Sequence, residues 1–249
     1  MRTLLTAFLL LALPTAALAQ RHYAILSLVG DEMMIVQREM MTGSRLDTNS
    51  RQAVVMSDAT IDRAMLLAVD DAVRRAEPGA RTSLLVSRRQ AVYDSVARAL
   101  DKGGSTAAAF EAVKPVVASA RGATHLILVT KFRAPTRVRI PNGTVGHGML
   151  EGVGFYVDYG STARSYFTSD AERGVISPYA YLRVSLIDMA SGRVVGEEHV
   201  LASKGYTVDA GTIGDAWNAL TAQEKDRRLA EVMREEAARV VPMVIAQKR

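Results

Sequence analysis

Apolar periodicity switches repeatedly along this chain between a period of two and a period near 3.6, and no linker separates the two kinds of segment. A period of two buries one face of a strand; a period of 3.6 buries one stripe of a helix. Interleaved segments of both kinds restrict the chain to strands and helices packed around a shared core.

Tyr23 to Val29 reads as a buried strand closed by Gly30-Asp31, and Met33–Val36 with Ala53–Met56 reads as a hairpin. Ile61, Met65, Ala68, Val69, Ala72, Val73 and Ala76 then hold helical spacing, with Asp62, Arg63, Asp70, Asp71, Arg74 and Arg75 on the other side, until Pro78-Gly79 stops the helix. A strand over Ser83–Val86 leads into Ser87-Arg88-Arg89-Gln90, a capping-box pattern that predicts a helix start. Thr106 to Ala120 is a further helical segment, and His125 to Thr130 is a central strand. Tyr179 to Ile187 alternates, with Leu182, Val184 and Leu186 facing one way and Tyr181, Arg183 and Ser185 the other. Ser191-Gly192 turns the chain into a returning strand, Val194–Leu201. Thr221 to Glu224 is a second capping box, opening a last helix with Leu229, Val232, Met233, Ala237, Val240 and Val244 inward. The expected fold class is α/β (α+β): one domain over 20–249, a mixed β-sheet with helices packed mainly on one face. Residues 131–178 form a glycine- and aromatic-rich excursion, read as irregular from about 140 onward apart from a short strand over Phe155–Tyr159.

The first 19 residues have the layout of a signal peptide. Arg2 supplies positive charge, Leu4 to Leu13 is apolar apart from Thr6, and Ala17-Leu18-Ala19 places small residues before Gln20. Cleavage before Gln20 would make this a periplasmic or secreted protein. It would remove only one charge, Arg2, from the formal +5. That mild excess gives no ground for nucleic-acid binding. No later run is apolar and long enough for a transmembrane helix. The chain has no cysteine, which excludes disulfides, cysteine-ligated metal sites and a lipid anchor on cysteine.

The strand "YAYLRVSLIDM", the turn "ASGR" and the strand "VVGEEH" over Tyr179–His199 resemble a hairpin of the envelope α/β domains typified by the curli-secretion lipoprotein family. The lipoprotein activators of penicillin-binding proteins and the amino-terminal domain of the Tol-system propeller protein share that hairpin. The strand "GATHLILVTKF", following "ASARG", is similar to the group's strand after a helix. The resemblance covers residues 22–130 loosely and 179–201 better. It implies an envelope domain that binds other proteins or assembles, with no catalytic residues to carry over. The missing lipidation cysteine and the segment 140–178 depart from the group.

The residues that could carry chemistry are few. No Gly-x-Ser-x-Gly or Ser-x-x-Lys occurs, and the glycines at 143, 146, 148, 152 and 154 do not form a phosphate loop. His22, His125, His147 and His199 show no spacing that presents two rings on one helix face, so no metal and no cofactor is expected. Lys131, Arg133, Arg137 and Arg139 share odd parity, against Phe132, Val138 and Ile140. In an extended chain that gives one cationic and one apolar face. This row is a candidate contact for an anionic partner, or else an edge strand guarded by charge. His147 between two glycines and the aromatics Phe155, Tyr156 and Tyr159 complete the candidate partner-binding set, core packing being the plain alternative for the aromatics. The expected function is that of a non-enzymatic envelope accessory protein binding a partner protein or an anionic envelope polymer. The alternatives are a small hydrolase or ligand-modifying enzyme using His147 with a carboxylate such as Asp158, and a self-assembling subunit, a homo-oligomer.

Overall fold

The computed structural model describes residues 20–39, 49–56, 60–101, 104–140, 143–159, 174–208 and 216–247. The signal-peptide segment 1–19 lies outside them. The strands are β1 (His22–Leu28), β2 (Glu32–Gln37), β3 (Ser50–Val55), β4 (Arg81–Leu85), β5 (His125–Lys131), β6 (Arg133–Pro135), β7 (Val138–Ile140), β8 (Gly143–Val145), β9 (Met149–Asp158), β10 (Gly174–Asp188), β11 (Val194–Ser203) and β12 (Tyr206–Val208). The helices are α1 (Thr60–Ala76), α2 (Gln90–Leu100), α3 (Thr106–Val117) and α4 (Ala222–Ala246).

The sheet forks along β10. Its first half pairs antiparallel with β9, from Val175↔Asp158 to Tyr181↔Gly152. Its second half pairs antiparallel with β5, from Leu182↔Lys131 to Asp188↔His125. Beyond β9 the sheet continues to β2 and β3; beyond β5 it continues through the parallel strands β1 and β4. The other side of β10 carries β11 and β12. The class read from the sequence, a single α/β domain with a mixed sheet, is the one observed.

Each face of the sheet has its own cover. The two longest helices, α1 and α4, lie on one face over Tyr23, Ile25, Ile127, Val129, Val153, Phe155, Val184 and Leu186. The opposite face is divided. α2 and α3 cover Ala24, Leu26, Leu126, Leu128 and Ile187. Ala134, Val138 and Leu150, from β6, β7 and β9, pack with Tyr156, Tyr179 and Tyr181 at the other end.

Local chemistry explains where helices begin. Thr221 and Glu224 form the reciprocal capping box, with Glu224 N–H donating to Thr221 Oγ1 at 3.2 Å and Thr221 N–H donating to the Glu224 carboxylate at 2.9 Å. The box expected at Ser87 does not form. Ser87 is buried, its Oγ accepts from Arg89 N–H at 3.3 Å, and α2 starts three residues later at Gln90 without a side-chain cap. The segment read as irregular around a short strand at Phe155–Tyr159 is strand from 143 to 145 and from 149 to 158, and β10 begins at Gly174, five residues before the predicted start.

Candidate functional site

The cationic row takes the alternating form its spacing predicts. Arg133, Arg137 and Arg139 are exposed, whereas Ala134, Thr136 and Val138 between them are buried. The backbone of the row is fixed from behind. Tyr181 Oη accepts from Arg137 N–H at 2.9 Å, and Ser203 Oγ donates to the Arg137 carbonyl at 2.7 Å and accepts from Arg139 N–H at 3.2 Å. Gly205 N–H donates to the Arg139 carbonyl at 2.8 Å. Arg133 approaches Glu151 at 3.7 Å across the β6–β9 pair. The guanidinium groups of Arg137 and Arg139 make no hydrogen bond or ion pair with any described residue. Positive charge is therefore presented on an ordered backbone, and no described residue compensates it at its outer end.

Lys131, the first member of the row, sits apart from the rest. It ends β5 at the fork, where β5 and β9 meet along β10. Its aliphatic stem runs beside Gly152, whose φ of +68° and missing Cβ leave the space it fills, and its ammonium end lies beside Gly30 at the end of β1. The Lys131 ammonium makes no hydrogen bond or ion pair with a described residue. It lines two adjoining clefts, of about 610 and 350 Å³, which also share Gln90 and Tyr93 of α2. These clefts open where the carboxyl ends of the parallel strands β1 and β5 meet the start of α2. In α/β sheets, ligands bind outside the carboxyl ends of strands at a change of strand order.

Asp62 lies behind the smaller cleft and anchors this region. It is 2% exposed, in the first turn of α1, and collects four donors: Ser27 Oγ at 2.5 Å, Val29 N–H at 2.9 Å, Gly30 N–H at 3.2 Å and Tyr93 Oη at 2.7 Å. Burial is the dominant influence and pushes its carboxyl above the ordinary range, against the four hydrogen bonds, which act to lower it. Burial, together with the Asp62 charge and its hydrogen bond, raises the Tyr93 phenol. The helical spacing placed Asp62 on the polar side of α1; the structure corrects this, because the orphan N–H groups at the end of β1 need an acceptor there.

The remaining candidates are dispersed. Phe155 and Tyr156 are fully buried, on opposite faces of β9, so neither is an exposed anchor. Burial pushes the Tyr156 phenol up to about 12, and its hydroxyl accepts from His147 N–H at 3.2 Å. Tyr159 packs partly buried against the core under α1 and α4. His147 is exposed and its ring bonds to no described residue, while Asp158 is fully buried and pairs with Arg38 at 2.9 Å. The proposed His147–carboxylate pair is thus not assembled with Asp158. Among the described residues no cluster of three His, Asp or Glu could hold a metal, and no helix is long and apolar enough to cross a membrane.

Three residues at the larger cleft escaped notice in the sequence: Thr130, Arg183 and Tyr93. Arg183 did leave a signal, a charged side chain on the same strand face as the buried Tyr181 and Ile187.

No family model matches the chain, and no curated protein matches it. Solved structures with a similar course include a Xanthomonas campestris protein of the family model DUF330, 10% identical, covering 91% of this chain and 84% of that one at a TM-score of 0.36. A hypothetical protein from Chlamydia trachomatis is 13% identical over 92% of this chain and 99% of that one, with a TM-score of 0.37. A protein described as a neuraminyllactose-binding hemagglutinin homolog from Helicobacter pylori is 8% identical over 90% of this chain and 80% of that one, with a TM-score of 0.36. At these TM-scores none of the three bears on the role of the chain.

Proposed function

We propose that this chain is an exported accessory protein that works by binding, and that an anionic component of the cell envelope docks on the row Arg133, Arg137 and Arg139. The observation that carries this reading is the pair of uncompensated guanidinium groups at Arg137 and Arg139, held on a backbone that Tyr181, Ser203 and Gly205 fix. Edge protection alone would need scattered charge; it would not need both backbone groups of Arg137 and Arg139 to be anchored. The signal-peptide layout of residues 1–19 and the hairpin resemblance over Tyr179–His199 support an envelope location.

Reversing all three charges, Arg133→Glu with Arg137→Glu and Arg139→Glu, tests the reading. The side chains are exposed and the Arg133–Glu151 contact is solvent-screened, so the thermal midpoint is expected to move by less than about 4 °C. Each basic residue near an anionic surface contributes about 1 kcal/mol, so affinity for the envelope fraction is expected to fall on the order of a hundredfold. Co-fractionation of the triple variant with envelope material at the wild-type level would refute the docking role of the row.

A further inference from the structure

The two covers of the divided sheet face do not meet. Between the α2–α3 pair and the β6–β9 end, the face is left open over Thr130 and Arg183, neighbours across the β5–β10 pairing. This opening is the larger cleft, of about 610 Å³, within the range that suits a small molecule.

Its floor holds hydrogen-bonding groups that the protein does not use. Thr130 is 3% exposed, and its Oγ1 has no partner among the described residues. The buried Nε of Arg183 has none either. Among the described residues the other end of that guanidinium reaches only Thr106 Oγ1, at 3.4 Å, and its carbon lies 5.6 Å from the centre of the Phe132 ring. Arg183 forms no ion pair with a described residue, and neither does Lys131 at the junction of the two clefts.

The acidic groups on the walls are all engaged. Asp94 accepts from Gln90 Nε2 at 3.0 Å, Glu151 faces Arg133, and Asp101 has a partner of its own. Asp31 and Glu32, beside the smaller cleft, are exposed to water. The unsatisfied groups on the floor and at the junction are thus two cations and a hydroxyl. A buried polar group without a partner is costly, and an arriving acceptor removes that cost. Phe132 and Leu100, both partly exposed, supply apolar wall in the same cleft.

We propose that this cleft binds a small amphipathic anion. Its carboxylate or phosphate oxygens accept from Arg183 Nε and Thr130 Oγ1, Lys131 supplies the balancing charge from the junction, and its apolar body lies against Phe132 and Leu100. Arg133 of the docking row also stands on the wall of this cleft, whereas Arg137 and Arg139 do not line it; neither proposal depends on the other.

Calorimetric titration of the full chain tests it with four probes: octanoate, octyl phosphate, acetate and 1-octanol. At least one of the octyl anions is expected to bind at one per chain, with acetate and 1-octanol at least about tenfold weaker. Tighter binding of octanoate assigns a carboxylate ligand; tighter binding of octyl phosphate assigns a phosphate. Lys131→Met and Thr130→Val are each expected to weaken the better anion by about tenfold or more, the scale of one hydrogen bond to a charged group. Arg137→Glu with Arg139→Glu is expected to leave that affinity within about twofold, since exposed charges away from the cleft are screened. Thr130→Val has a second readout: removing an unpartnered hydroxyl leaves the urea midpoint unchanged or raises it. Equal binding by wild type, Lys131→Met and Thr130→Val would overturn the proposal, as would 1-octanol binding as tightly as the anions.

Discussion

Replacing Asp62 with alanine is expected to cost about 3–5 kcal/mol of folding free energy, because four buried donors lose their acceptor at once. Ser27 Oγ, Val29 N–H, Gly30 N–H and Tyr93 Oη all converge on this carboxylate. The loss reaches three elements, since it frees the end of β1, the first turn of α1 and the first turn of α2. Asp62→Asn keeps the shape but turns one acceptor into a donor facing donors, and a smaller loss is expected. In urea unfolding, both variants should shift the midpoint with little change in slope. A loss under about 1 kcal/mol for the alanine variant would show that water replaces the carboxylate. The pH dependence follows from the direction of the Asp62 shift. Its folded value lies above its unfolded value, so the native state holds this proton more tightly. The contribution of Asp62 is therefore fullest below the ordinary carboxylate range and declines as pH rises through the raised native value. The protonated form remains compatible with the site, because the Ser27 and Tyr93 hydroxyls can rotate to accept. The stability gap between wild type and Asp62→Ala should accordingly narrow from acid toward neutral pH.

Gly154→Ala should be as damaging by a different route. Gly154 is buried in β9, opposite Met34 of the parallel strand β2, and a Cβ there would overlap the Met34 carbonyl and its neighbouring backbone atoms. Backbone cannot move aside as a side chain can, so β2 must separate from β9. A loss of about 3 kcal/mol or more is expected. Gly79→Ala is the matched control. Nothing lies within 4 Å of a Cβ at Gly79, and the change should stay within about 1 kcal/mol of wild type. Comparable stability for the two variants would mean that the β2–β9 approach is not what requires glycine at 154.

That glycine also explains why part of the fold was hidden in the sequence. Frequent glycine between 143 and 154 reads as loop, since glycine weakens a strand in isolation. In the folded chain Gly152 and Gly154 are strand residues, one leaving space for the Lys131 stem and the other permitting close contact with β2. Both needs come from distant segments and leave no local pattern. The β10–β11 hairpin was legible because its alternation and turn are local, and Leu182, Val184 and Leu186 do share one buried face. The parity of the row from Arg133 to Arg139 was legible for the same reason.

Burial of polar residues was the harder matter. Asp62 and Asp70 both fall on the polar side of the α1 pattern, yet both are buried. Asp70 turns to Arg74 at 3.0 Å within its own helix, whereas Asp62 answers the end of β1. Periodicity separates apolar from polar but does not say which polar groups serve a strand end. The cleft residues Thr130 and Arg183 are set in place by the pairing of β5 with β10, more than 50 residues apart in the chain, and only the fold shows that they are neighbours.

The most direct test of the docking role is photo-crosslinking in intact cells, with a photoreactive residue placed singly at positions 137, 139, 55 and 243. Val55 and Met243 are exposed and lie off the row, and so serve as controls. The predicted result is a discrete envelope adduct from 137 and 139, absent from 55 and 243 and lost when Arg133 and the remaining row arginine are changed to glutamate. Adducts of the same pattern from all four positions, or none from 137 and 139, would contradict a docking surface on this row.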